Sequence, residues 1–317
     1  MSGPLHGAIL VTGGEGFLGK FIVQKLTVLG RKIHVARRSE CDLRDPIQVS
    51  RLFELVKPAI VVHAAAHGGG IGYMQRNPAD VYFDNIMMNT LVLHEATRHH
   101  VKKFISIGTV CAYPKFGTIP FCEGEIWNGY PEETNGAYGL AKKMMLVQLE
   151  AYRAQYQLRG FQLLLSNLYG PGDSFHPSRS HVIPDVIRKL VEAKETGQSG
   201  VTFWGSGLAS REFLFVADAA EAVSMALIRY EGHEPVNVGV GEEIAIRDLV
   251  TLVQEEIGFD GKIRWDTTKP DGQPRRCLDV SRARKFFGFQ ARTPLRKGLK
   301  QTIDWFLAHR EQHAYSA

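Results

Sequence analysis

Little in this sequence ties it to an extracellular, membrane or nucleic-acid setting. It has only four cysteines, Cys41, Cys111, Cys122 and Cys277, with no CxxC pair and no histidine at ligand-like spacing, which argues against a structural zinc site. No apolar run reaches the roughly 18 residues that a membrane-crossing helix needs. Residues 1–7 lack a basic n-region and an apolar h-region, so no secretory leader is expected. Nor is there a run of five or more basic residues, and a formal charge of +5 is too small to imply a nucleic-acid surface. That mild positive balance also suits an anionic small substrate. No repeat or low-complexity segment is visible. The expectation is a cytoplasmic protein with free thiols, no bound metal, and no nucleic-acid or membrane partner.

What is present is enough chain to bury a large core: 317 residues, with 44% apolar and 22% charged residues as in ordinary soluble proteins. Short apolar runs at 8–12, 33–36, 59–64, 104–107 and 161–165 read as strands. Segments at 17–29, 46–56, 77–99 and 138–156 carry helical spacing or helix-start signals between them. Such alternation predicts βαβ units and a parallel sheet, and near-continuously apolar strands predict that both sheet faces are covered. The expected fold is α/β: a doubly wound parallel (Rossmann) sheet over residues 1–170, and a smaller C-terminal α/β substrate-binding lobe over 171–317. Later segments are expected to complete the sheet. After about residue 170 the rhythm breaks at Pro171, Gly172, Pro177 and Pro184, and shorter elements are expected at 183–195, 201–204, 219–229, 236–239 and 247–257.

Two motif groups carry chemistry. The first places Gly13, Gly16 and Gly19 between a strand and a helix, where glycines allow a tight turn and close backbone approach to a pyrophosphate. At the end of the second strand stand Arg37 and Arg38 rather than an acidic residue, and guanidiniums there suit a 2′-phosphate, hence NADP(H). Glu15, inside the loop, points the other way. Asp42 and Leu43 follow as candidate adenine contacts.

The second group is Thr109, Tyr138 and Lys142. Tyr138 and Lys142 are four apart and share a helix face, and an ammonium beside a phenol is expected to favour the phenolate. Cys111, two residues after Thr109, faces the same side if the strand continues; it is either a base or a small buried hydrophobe. His181 is one of 12 histidines, and spacing alone does not single it out.

Four further stretches, SNLYGPGDSFHP at 166–177, SHVIP at 180–184, WGSG at 204–207 with REF at 211–213, and KPDGQPRR at 269–276, carry a resemblance. With the motifs above, the chain resembles the extended short-chain dehydrogenase/reductase superfamily over essentially its whole length. Within it, the chain is most similar to the 3,5-epimerase/4-reductases of GDP-4-keto-6-deoxymannose, the GDP-L-fucose synthase family. The resemblance implies that Cys111 and His181 form an epimerisation acid/base pair, and that Thr109, Tyr138 and Lys142 serve hydride transfer. It implies cofactor contacts at Gly13, Gly16, Phe17, Leu18, Gly19, Arg37, Arg38, Asp42, Leu43, Ala64 and Lys142. GDP-sugar contacts are implied at Asn167, Lys189, Trp204, Arg211 and Arg276, with Arg188 as a neighbour that could replace Lys189. A homodimer through the helices at 77–99 and 138–156 is also implied. Residues 68–73 are only similar to the family's glycine-containing stretch. Other GDP-4-keto sugars (a colitose or deoxyheptose precursor), epimerisation without net reduction, and a catalytically dead dinucleotide sensor are the alternative readings.

Overall fold

The computed structural model describes residues 7–310, so all but Gly7 of the stretch 1–7, where no secretory leader is expected, lies outside the described residues. Six parallel strands form the central sheet: β1 (Ile9–Thr12), β2 (Ile33–Ala36), β3 (Ile60–His63), β4 (Lys103–Thr109), β5 (Gly160–Leu165) and, from far downstream, β10 (Val236–Val238). Their spatial order is β2-β1-β3-β4-β5-β10. Succession reverses between β1 and β3, and in open α/β sheets ligands bind beyond the strands' carboxyl ends at such a switch point.

Continuous apolarity in the strands follows from burial on two faces. Ile9, Val11, Ile60, Val62, Ile105 and Ile107 face a cluster with α1 (Phe17–Val28), α7 (Val216–Arg229) and α9 (Ser281–Phe287). The intervening Leu10, Val61 and Phe104 face α2 (Pro46–Val56), α4 (Pro78–Arg98) and α5 (Gly136–Tyr156). Alternation along an extended chain sends neighbours to opposite faces, so each strand feeds two cores. Helix starts follow local chemistry. Pro46 opens α2 behind Asp45, whose carboxylate accepts from the backbone N–H groups of Ile47 and Gln48, and Pro78 opens α4.

A further core joins α6 (Val182–Glu195), β7 (Gly200–Trp204), β9 (Phe213–Phe215), α8 (Ile246–Ile257) and α10 (Leu295–His309). All of its buried members lie at or beyond Tyr169, and on that ground we propose the division of the chain at about residue 170. Short pairings complete this part: β6 (Asn167–Tyr169) with β9, β8 (Ser210–Arg211) with β11 (Ile244–Ala245), and β7 with β12 (Lys262–Asp266). A short helix, α3 (Ile71–Arg76), follows β3. Among the described residues no helix is long and apolar enough to cross a membrane.

Candidate active site

The glycine loop forms a cradle for an anion. Gly13 has φ +68°, and a Cβ there would lie 2.6 Å from the Ala65 amide nitrogen; a Cβ on Gly19 would fall on the Gly13 carbonyl oxygen. Gly16 donates its N–H to that carbonyl (2.9 Å) and is the N-cap of α1, contributing no capping side chain. With no acidic residue in the first turn, the open N–H groups and the helix dipole fit a pyrophosphate. Leu18 and Leu43 turn their side chains into the two cores, which leaves only their backbones available to a ligand. Ala64 is held by its N–H donating to Thr12 O (3.2 Å).

Arg37 and Arg38 differ sharply. Arg37 is shared between Glu15 (3.1 Å) and Glu40 (3.2 Å), whereas Arg38 is exposed and makes no hydrogen bond or ion pair among the described residues. Asp42 is also engaged. Hydrogen bonds from Arg44 hold its carboxyl at about 2, against an ordinary 3.8.

Tyr138 and Lys142 lie one turn apart on α5, as their spacing requires. Lys142 is 2% exposed, and its ammonium donates to the Ile107 carbonyl (3.1 Å). Burial lowers it to about 8. The expected tuning of the phenol is reversed in direction: burial, and next the charge of Cys111, raises Tyr138 above its ordinary 10. Withdrawal from water disfavours the phenolate more than the spacing alone suggests, so the phenol is a proton donor at neutral pH.

Cys111 does not continue the strand. β4 ends at Thr109, whose hydroxyl accepts from the Cys111 N–H (3.2 Å) and caps a 3₁₀ turn, Val110–Ala112. The same-side argument therefore fails at Cys111, and the turn, not the pleat, places the thiol. A Cβ on Gly139 would fall on the Cys111 carbonyl oxygen, so this glycine lets α5 close onto the turn. Arg276 Nη1 then donates to Cys111 Sγ (3.3 Å) while its Nε donates to Gln273 Oε1 (2.7 Å).

Arg211 and Arg276 are 7% and 6% exposed. Burial first, and the charge of Arg276 second, lowers Arg211 to about 9. Among the described residues Arg211 donates only to backbone carbonyls, Ser210 O (2.7 Å) and Asp271 O (3.1 Å). Two buried guanidiniums that repel each other, with no carboxylate hydrogen-bonded to either among the described residues, make a site suited to a diphosphate.

The opposite wall comes from residues 68–72. A Cβ on Gly68 would lie 3.5 Å from the Tyr138 ring, one on Gly72 3.9 Å from the Trp204 ring, and one on Gly70 would meet the Ser180 carbonyl. The next residue, His181, is the N-cap of α6; its ring is exposed and makes no hydrogen bond among the described residues. Protein around it lowers its affinity for a proton below the ordinary 6.5. Solvent access within such a surround describes a cleft. Trp204 is 55% exposed with the Lys269 ammonium 5.6 Å from its ring centre, an open face for a base. Asn167 is fixed by donating to Glu212 O (2.8 Å). Arg188 is locked by two carboxylates, Asp185 (2.5 Å) and Glu192 (2.9 Å), whereas Lys189 pairs with one, Asp185 (2.9 Å), and lies 5.3 Å from the Phe203 ring centre, which leaves Lys189 the more available cation.

One set of residues behind the site escapes sequence reading. The Thr12 hydroxyl lies 2.8 Å from His63 Nδ1, His63 Nε2 lies 3.0 Å from Asn89 Oδ1, and Asn89 Nδ2 donates to Ala141 O (3.2 Å). Since Asn89 presents its oxygen, His63 Nε2 carries the proton and Nδ1 accepts from Thr12. Burial, and then the nearby Lys142 charge, pulls His63 down to about 3, so the ring is neutral. This chain ties the strand before the glycine loop to the helix bearing Tyr138 and Lys142. The single apolar run containing His63 offered no signal of it.

A doubly wound sheet with a phosphate cradle at its switch point, and a tyrosine–lysine pair beside it, defines an enzyme that binds a dinucleotide and works on a second, anionic ligand. Residues 9–239 match the model of the NAD dependent epimerase/dehydratase family. The chain is 42% identical over 300 residues to GDP-L-fucose synthase 1 of Arabidopsis thaliana, covering 94% of this chain and 93% of that protein. It is 31% identical over 302 residues to GDP-L-colitose synthase of Yersinia pseudotuberculosis, covering 94% and 97%. A GDP-L-fucose synthetase from Naegleria fowleri bound to NADP superposes with TM-score 0.86 at 28% identity, over 96% of this chain and 95% of that one. The chain belongs to the NAD dependent epimerase/dehydratase family.

Proposed function

We propose that this chain is an NADP(H)-dependent epimerase–reductase that converts GDP-4-keto-6-deoxy-D-mannose to GDP-L-fucose, by C3/C5 epimerisation and C4 ketone reduction. The observation that carries this reading is the Cys111 thiol, held 3.3 Å from the Arg276 guanidinium and beside Tyr138. Reduction needs a proton donor and a cofactor. A thiol under a cation adds a base able to take protons from carbon. Full-length likeness to the Arabidopsis synthase supports the same reading.

Bound at the cradle, the nicotinamide dinucleotide supplies a hydride for C4. Gly13, Gly16 and the first turn of α1, including Phe17, Leu18 and Gly19, would hold its pyrophosphate, Arg38 would serve the 2′-phosphate, and Lys142 would hold the nicotinamide ribose. Arg211, Arg276, Lys189 and Asn167 hold the GDP-sugar, and Trp204 covers the base. The C4 ketone acidifies the hydrogens at C3 and C5. Cys111 removes them from one side and His181 returns protons to the other. Tyr138 and Thr109 donate hydrogen bonds to the enolate oxygen, and Tyr138 then protonates the C4 alkoxide. Because His181 binds its proton weakly, it is a good acid whenever protonated.

The intact Thr109, Tyr138 and Lys142 set counts against a dinucleotide sensor. We assign the enzyme to the cytoplasm, and to a homodimer through α4 and α5, whose Tyr82, Phe83, Val147 and Tyr156 are exposed. The decisive experiment is mass spectrometry of products from a panel of GDP-4-keto sugars with NADPH in deuterated water. Two solvent deuteriums in a fucose product support the proposal. Turnover of a colitose or heptose precursor alone overturns the substrate. For Cys111→Ser the expected result is loss of deuterium at C3 and C5 with some reduction retained; exchange at the wild-type rate would remove Cys111 from the mechanism.

A further inference from the structure

The wall at residues 67–76 contains an arrangement that the proposed chemistry does not use. His67 Nδ1 lies 2.8 Å from Asp84 Oδ2, and His67 Nε2 lies 2.7 Å from the Tyr73 hydroxyl. The carboxylate accepts from Nδ1, which leaves Nε2 to pair with the Tyr73 hydroxyl. His67 cannot drift: buried Asn85 accepts from its backbone N–H (3.2 Å) and donates to its carbonyl (2.7 Å). Asp84 is held in turn by Arg44 (3.0 Å). The Tyr73 ring is therefore anchored at its hydroxyl end to α4.

Its other side meets the segment that carries His181. The Arg179 guanidinium sits 4.9 Å from the Tyr73 ring centre. Two more bonds join the same elements: Gly70 N–H to Arg179 O (2.9 Å) and Arg76 Nη2 to Ser178 O (3.3 Å). Every one of these ties acts on residues 178–179, two or three positions before His181, whose own ring has no hydrogen-bond partner among the described residues.

We propose that Tyr73, anchored by the Asp84–His67 pair, is a positioning residue that sets the His181 segment, and so governs proton return during epimerisation but not hydride transfer. It rests on the reading of His181 given above. Misplacing a catalytic group by about 1 Å can cost up to about 100-fold. Tyr138, Thr109 and Lys142 stand on β4 and α5, and none of these ties ends on either element.

The test compares single turnovers in deuterated water for wild type, Tyr73→Leu, Tyr73→Phe, Arg179→Gln and His181→Asn. Deuterium at C3 and C5 and product stereochemistry report epimerisation; NADPH oxidation reports reduction. Tyr73→Leu should lower deuterium uptake by about 10-fold or more and raise the share of unepimerised product, with hydride transfer falling far less. Tyr73→Phe keeps the ring under Arg179 and should retain more uptake. Should Tyr73→Leu not fold, Arg179→Gln removes the same contact from an exposed side chain. Equal losses in uptake and oxidation, or unaltered uptake in Tyr73→Leu beside a disabled His181→Asn, would overturn the positioning role alone. Wild-type behaviour of His181→Asn would overturn the assignment of His181 as the acid as well.

Discussion

Lys142→Met should make the protein without cofactor more stable while disabling it. The ammonium is buried with a single carbonyl partner, and burial lowers it to about 8 from an ordinary 10.5. A difference of about 2.5 units corresponds to about 3 kcal/mol spent at pH 7 on keeping the charge inside. Methionine has similar length and no charge, but leaves the Ile107 carbonyl without its donor, which costs about 1–2 kcal/mol. The net gain is about 1–2 kcal/mol. The pH dependence identifies the cause. Between about pH 8 and 10.5 folded wild type has lost this proton while the unfolded chain still holds it, so unfolding takes up a proton and wild-type stability rises with pH. The variant lacks this rise, so its advantage at pH 7 should shrink as pH approaches 10. The assay is urea unfolding of both proteins, without cofactor, from pH 7 to 10. A variant less stable at pH 7, or a gap independent of pH, would refute the argument. Activity should fall in parallel, since a functional cation is here a cost to the fold.

Other expectations follow from the same geometry. Tyr138→Phe removes the proton donor and should cut hydride transfer by about 100-fold with cofactor binding little changed; near-normal turnover in a stopped-flow NADPH assay would contradict the role. Because Glu15 and Glu40 occupy Arg37, Arg38→Ala should weaken NADPH far more than NADH, Arg37→Ala should do so less, and Glu15→Gln should tighten NADPH, all readable by fluorescence titration. Arg211→Ala should raise KM for the GDP-sugar and Trp204→Ala should weaken GDP, with calorimetry finding GDP bound more tightly than UDP. Equal binding of the two nucleotides would remove Trp204 as a base contact.

Much of the candidate site was legible because it depends on spacing within one element. Tyr138 and Lys142 meet on α5 since one helical turn separates them, and Gly13, Gly16 and Gly19 sit where a strand hands over to a helix. Strand apolarity likewise announced a sheet covered on both faces. Leu295, Leu299, Ile303 and Phe306 have helical spacing in α10, and residues 262–266 form a strand against β7.

The sequence by itself determined the class of fold, the place of the phosphate cradle and the identity of the tyrosine–lysine pair, because φ/ψ preferences and the two periodicities act over a few residues. Only tertiary structure decided the rest. A 3₁₀ turn aims Cys111, and the guanidinium that holds its sulfur comes from 165 residues away. The neutral His63 chain and the Asp84–His67–Tyr73 anchor join residues that no pattern relates. Tyr138 rises rather than falls because burial removes water from the phenol, and the environment of a charge depends on the whole fold. Proximity and desolvation arise from the packing of distant segments, and no local spacing records them.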